Sequence, residues 1–213
     1  MNDVVNSVVF DAYPKVSLQE FIPELAFEFT EMPEEAFPHY LLKSIDRFAR
    51  NSNALRRTVH ICTQNCVNRY LIDPPDCMQI VALLDICGDT CGAHPVRLTS
   101  AIPCLRGCAS RVWFERPNII GFSQPGGSYQ ITLSVTPTRH SCEVDEILLT
   151  DFAETILDGT RHYLYGMTGK PWSSVQRSQE SEMRFIQGIR QAAVETLTGG
   201  QRGTFRLNTA RKF

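Results

Sequence analysis

Apolar positions change their period twice along the chain, and the changes divide it into three stretches. Between Glu34 and Asn51, Phe37, Leu41, Ile45 and Phe48 recur every three or four residues, with Tyr40 and Ala49 widening the stripe. That spacing predicts an amphipathic helix. Pro38 fits its first turn, and Asn51-Ser52-Asn53 is its stop signal. From Leu55 to Cys142 the period falls to two. Thr58–Cys62, Asn68–Ile72, Met78–Ile86, Val96–Thr99, Arg111–Glu115, Asn118–Phe122 and Tyr129–Thr136 read as short strands. Pro74-Pro75-Asp76 marks one turn, and Gln124-Pro125-Gly126-Gly127-Ser128 is the strongest hairpin signal. Strands this short and this regularly spaced predict a small β-sandwich or curled sheet.

The last third returns to the helical period. Leu149, Phe152, Ile156, Tyr163 and Leu164 predict a long helix over Asp145 to Met167, broken by Gly169-Lys170-Pro171-Trp172. Ser173 followed by Gln176 resembles a capping box. The final helix then runs to Thr198 with Ile186, Ile189, Ala193 and Leu197 inward, and Gly199-Gly200 ends it. Residues 1–36 carry eight carboxylates against Lys15 alone, with Phe21, Leu25 and Phe29 four apart between Pro14, Pro23 and Pro33. They predict an extended acidic arm that holds one short helical turn and packs on the body. Gln201 to Phe213 has Arg202, Arg206, Arg211 and Lys212 and no carboxylate. The expected fold is α+β. Three main helices in 37–54 and 143–198 form a bundle, 55–142 is a β-sandwich-like insertion, and 199–213 is an extended basic tail.

Composition adds little to this picture. An apolar fraction of 43%, a charged fraction of 21% and a net charge of −2 describe an ordinary globular chain with no overall field for nucleic acid or membrane. No apolar run reaches the roughly 18–20 residues of a membrane span. Met1 to Phe10 has Asp3 and neither a basic nor a long apolar region, which points to a cytosol-like compartment without membrane partners.

The eight cysteines change the picture more. Cys62/Cys66, Cys87/Cys91 and Cys104/Cys108 repeat one spacing. Zinc hooks use about two intervening residues. On a strand, residues four apart lie roughly 13 Å apart, too far to share an ion. Buried, reduced thiols in a reducing compartment are the favoured reading, with neither metal nor cofactor. A cysteine-rich metal- or nucleic-acid-binding module is the alternative. Phe37 to Cys142 holds eleven Lys/Arg against six Asp/Glu, but these charges are spread over separate strands with few aromatics between them.

Motifs for an enzyme are missing: no Gly-x-Ser-x-Gly elbow, no His-Glu-x-x-His helix and no dinucleotide glycine fingerprint. Gly166 to Pro171 faintly resembles a phosphate loop but reads as a helix-breaking turn. His39, His60, His94, His140 and His162 are scattered. A non-enzymatic role is expected. An unfamiliar hydrolase built on a Cys–His pair that meets only in space is the remaining enzymatic possibility.

The order of segments resembles the head-to-tail adaptor family of tailed phages, especially the tail tubular proteins of podophages. The shared features are the helix Tyr40 to Asn51 followed by Leu55-Arg56-Arg57-Thr58-Val59, the turn Tyr70-Leu71-Ile72-Asp73-Pro74-Pro75, and the breaker Met167-Thr168-Gly169-Lys170-Pro171-Trp172 before the last helix. The resemblance spans Phe21 to Leu197, and the cysteine-rich β-region departs from it. It implies an adaptor-type virion structural protein, made in the bacterial host cytoplasm. About twelve copies would form a ring beneath the portal, above the tail nozzle and around double-stranded DNA that passes without specific binding. Two residue sets follow as expectations. Asp151, Glu154 and Asp158, at i, i+3 and i+7, share a helix face that would line the channel. Arg202, Phe205, Arg206, Leu207, Arg211, Lys212 and Phe213 would form a portal-docking arm.

Overall fold

The stripe on residues 37–49 becomes the axis of the fold. Helix α2 spans Phe37–Ser52, and Phe37, Leu41, Ile45, Phe48 and Ala49 are fully buried along it. It ends where Asn53 takes the left-handed conformation (φ 51°, ψ 30°) and donates its N–H to the Ala49 carbonyl at 3.0 Å, a role asparagine fills at low cost. The computed structural model describes residues 4–5, 13–64, 67–89, 112–115, 118–122 and 127–198. The expected strand Val96–Thr99, most of the Gln124–Ser128 turn and the tail 199–213 lie outside them.

Among the described residues the architecture is mixed, with five α-helices and three small sheets. This corrects the expected three-helix bundle with a sandwich insertion. One three-stranded antiparallel sheet joins β3 (Arg56–Thr63), β8 (Gly127–Pro137) and β5 (Met78–Asp89), with β8 central and bulges in β5 at Ile80/Ala82 and Leu83/Asp85. A second sheet orders β1 (Val4–Val5), β4 (Arg69–Leu71), β7 (Ile119–Phe122) and β6 (Val112–Glu115), antiparallel except where β1 runs parallel to β4. Trp113 lies opposite Gly121, where an added Cβ would overlap the indole ring, so the glycine makes room for that ring. The third sheet pairs β2 (Lys15–Ser17) with β9 (Glu143–Asp145).

The sandwich fails because helices share in covering the larger sheet. Ile131, Leu133, Ser134, Val135 and Thr136 of β8 are all buried, and Thr136 Oγ1 donates to Asp46 of α2 at 3.1 Å. The second sheet joins the same core through the ring contacts Tyr70–Phe122 and Phe122–Tyr129, with centroids 5.6 and 4.7 Å apart. The N-terminal segment packs on the same core over the described residues. Helix α1 (Ile22–Glu28) sits between two 3-10 turns, and Phe21, Leu25 and Phe29 are buried as their spacing foretold.

The long helix expected over Asp145 to Met167 is three pieces. Glu143–Asp145 is strand β9, α3 is the single turn Ile147–Thr150, and α4 begins only at Ala153 and ends at Tyr165. The break falls at Asp151-Phe152, where Phe152 leaves helical geometry (φ −126°, ψ 11°) and places its ring 5.0 Å from Phe48. Helix α5 (Val175–Thr198) is capped by Ser174, not Ser173; the Ser174 hydroxyl accepts from the Arg177 N–H at 3.3 Å. Its buried face is Ser178, Ser181, Phe185, Ile189 and Ala192, whereas Leu197, expected inward, is 80% exposed.

Candidate functional site

Polar side chains converge in three places, each built where separate elements meet. The most enclosed is the pair Arg57–Asp145. Arg57 is the second residue of β3 and Asp145 closes β9, and Nη2 donates to both carboxylate oxygens at 2.6 Å. Both side chains are almost fully buried, with the Tyr13 ring centroid 4.0 Å from the guanidinium. Nη1 donates to the Arg56 carbonyl at 2.8 Å. The pair ties the small β2–β9 sheet to the β3–β8–β5 sheet.

The second is a clasp between α4 and α5. His162 Nδ1 lies 3.1 Å from the Ser178 carbonyl, its Nε2 3.8 Å from Glu182, and Glu182 also accepts from Arg47 of α2 at 3.2 Å. Serine, histidine and glutamate are the residue types of a hydrolytic triad. Here the Ser178 hydroxyl donates to the His162 main-chain carbonyl at 2.9 Å, and Ser178 is buried between two packed helices. The same hydroxyl also lies 3.1 Å from His162 Nδ1, and with Ser178 enclosed between α4 and α5 the trio fastens the two helices. His162 was one of five scattered histidines in the sequence, and nothing in its spacing marks partners 16 and 20 positions away.

The third surrounds Arg161 of α4. It pairs with Glu28 at 2.9 Å and Asp158 at 3.3 Å, and reaches toward Glu154 at 3.7 Å and Glu24 at 4.0 Å. Tyr165 donates its hydroxyl to Glu28. Burial first, and then that hydrogen bond, raise the Tyr165 pKa above its ordinary value, so it remains a donor.

The three carboxylates expected on one face are placed differently from one another. Asp151 precedes α4 and is exposed, beside a cleft of ≈ 430 Å³ shared with Thr155, Gln191 and Glu195. Glu154 is in the first turn of α4 and open to solvent. Asp158 is buried between Arg161 and Arg184, the latter 3.9 Å away. Because Asp151 lies outside the helix, the i, i+3, i+7 relation does not apply to it.

Asp158 carries a raised pKa. Burial is the largest cause, and it outweighs the opposing pull of Arg161 and Arg184. A carboxyl with a raised folded-state pKa favours folding in its protonated form, and that contribution is lost as pH rises above the ordinary value of 3.8. Asp158→Asn is therefore expected to be at least as stable as wild type at neutral pH, with its relative advantage shrinking as pH falls through the carboxylate range. Urea titrations across that range check this, and a variant progressively worse as pH rises contradicts it.

The cysteine pairs fall largely outside the described residues. Cys77 and Cys142 are exposed free thiols, Cys62 is exposed, and no group of three or more His, Cys, Asp or Glu is placed to hold a metal ion among the described residues. No helix of the described residues is long and apolar enough to cross a membrane. The tail residues Arg202, Phe205, Arg206, Leu207, Arg211, Lys212 and Phe213 lie outside the described residues. Compared with known proteins, the chain matches no protein-family model and no curated protein.

Proposed function

We propose that this chain is a virion structural protein, a head-to-tail adaptor whose ring joins a portal to a tail nozzle and continues the DNA channel. The observation that carries the reading is where the adaptor-like motifs fall in the fold. Met167-Thr168-Gly169-Lys170-Pro171-Trp172 forms the joint between α4 and α5, with Gly169 at φ +76° and the Trp172 ring edge-on to Phe29, 6.3 Å between centroids. Tyr70 of β4, at the head of the Asp73-Pro74-Pro75 turn, is buried against Phe122. Both motifs position elements on the common core, as a scaffold requires. About twelve copies, portal and nozzle as partners, and assembly in the bacterial cytoplasm belong to the same proposal. Asp151 and Glu154 supply the open carboxylates of a channel wall that repels phosphates, and Asp158 is shielded by its two arginines.

The C-terminal residues 199–213 are the docking arm in this reading. Phe205, Leu207 and Phe213 are spaced as separate apolar anchors, and Arg202, Arg206, Arg211 and Lys212 suit acidic clefts between portal subunits. Around a ring, many weak arms bind through effective concentration. Deleting 204–213 is expected to leave the circular dichroism spectrum unchanged and to abolish co-purification with portal rings. Undiminished portal binding by that truncation overturns the proposal.

A further inference from the structure

The last helix carries more apolar surface than the body uses. Along α5, Val175, Met183, Val194 and Leu197 are 73%, 64%, 59% and 80% exposed. At 100° per residue they fall, with half-buried Ile186, in a sector about 100° wide that runs about 33 Å along the helix. The other residues in that sector are Gln176, Gln179, Arg190 and Ala193, so its one charge among the described residues is positive. Contiguous apolar surface of this kind marks a contact site.

A patch of complementary character lies on α1. Phe27 is 88% exposed, the most exposed large apolar side chain of the described residues, because Leu25, two residues earlier, turns into the core. Between Lys15 and Lys43 the chain has six glutamates and no lysine or arginine. Glu20, Glu31, Glu34 and Glu35 form no ion pair among the described residues, and neither does Arg190. One surface is thus an apolar stripe with a lone cation, and the other an exposed aromatic on α1, whose flanking turns carry glutamates that make no ion pair among the described residues.

Neither patch is covered within one chain: Phe27 and the stripe residues are all exposed. Arg177 of α5 lies 3.5 Å from the Tyr165 hydroxyl of α4, which is bonded to Glu28 of α1, so the link from α1 reaches α5 at a position roughly 150° around the helix from the centre of the stripe. We infer that the α5 stripe of one copy receives Phe27 of the next, with Arg190 meeting the glutamates of the turns that flank α1. Two unlike surfaces make a heterologous joint, which propagates head to tail and closes as a ring when the rotation allows. This inference deepens the proposed ring and rests on it only for closure. It is independent of the docking arm, so the truncation and the experiment below fail separately.

Mixing half-defective full chains tests it, with mass read by light scattering after size exclusion across a concentration series. Wild type is expected to exceed the mass of one chain, increasingly so at higher concentration and less so in high salt. Phe27→Asp alone and the double variant Met183→Asp/Val194→Asp alone are expected to run as folded monomers. Their equimolar mixture retains one intact joint and should give a two-chain species and nothing larger. If circular dichroism shows either chain misfolded, Phe27→Ser and Met183→Ser/Val194→Ser replace them. Wild type monomeric at every concentration overturns the inference, as does a mixture that stays monomeric. Phe27→Asp assembling like wild type overturns it too, because stripe would then be meeting stripe.

Discussion

Asp145→Ala is expected to lower folding stability by about 3–5 kcal/mol, because it strands a buried guanidinium. Arg57 is almost fully enclosed, and its Nη2 finds both oxygens of Asp145 at 2.6 Å. Met78 Sδ at 3.8 Å and the Tyr13 ring over the guanidinium are poor substitutes for a carboxylate. With a urea dependence of about 2 kcal/mol per molar, the midpoint should fall by about 1.5–2.5 M. Removing the charge as a pair separates desolvation from packing. Arg57→Met with Asp145→Leu leaves no orphan and is expected to recover most of the loss. A single variant within about 1 kcal/mol of wild type would show that water already reaches the pair. A double variant as unstable as the single one would show that the β2–β9 sheet needs the ion pair for its geometry.

That pair also shows where the sequence stops being readable. Helix α2 was legible because its stripe, its stop and its capping asparagine are local, and Phe37, Leu41, Ile45, Phe48 and Ala49 are buried with Tyr40 half-buried beside them. Arg57 and Asp145 are 88 positions apart, and only the fold makes them neighbours. The false long helix has a related cause. Leu149, Phe152, Ile156, Tyr163 and Leu164 keep a helical apolar spacing across α3 and α4, and all five are buried or half-buried. Periodicity reports which residues face the core. It does not report that Lys15–Ser17 offers a strand edge to Glu143–Asp145. Leu197 failed in the opposite sense: α5 is apolar on two faces, and one chain read alone cannot say which face meets its own body.

Helix packing gives the second large effect, and its sign is the informative part. In an open helix, replacing glycine by alanine gains about 0.8–1.0 kcal/mol of helix propensity. At Gly159 of α4, however, a Cβ would overlap the Ser44 hydroxyl of α2 and stand 2.8 Å from the Phe185 ring of α5. Neither neighbour yields easily. Ser44 Oγ donates to the Ile156 carbonyl at 2.9 Å, and Phe185 is fully buried beneath the Arg47 guanidinium, 5.4 Å from its centroid. All three helices would have to move apart, and overpacking of this kind costs about 1–3 kcal/mol. Gly159→Ala is therefore expected to be net destabilising, measurable as a lower urea midpoint with an unchanged slope. Ser44→Ala in the same chain removes the oxygen that clashes. The double variant should be more stable than the sum of the two single losses allows, with a coupling of about 0.5–3 kcal/mol between residues in contact. A Gly159→Ala chain about 1 kcal/mol more stable than wild type would mean that the three helices do not approach as closely as this glycine permits.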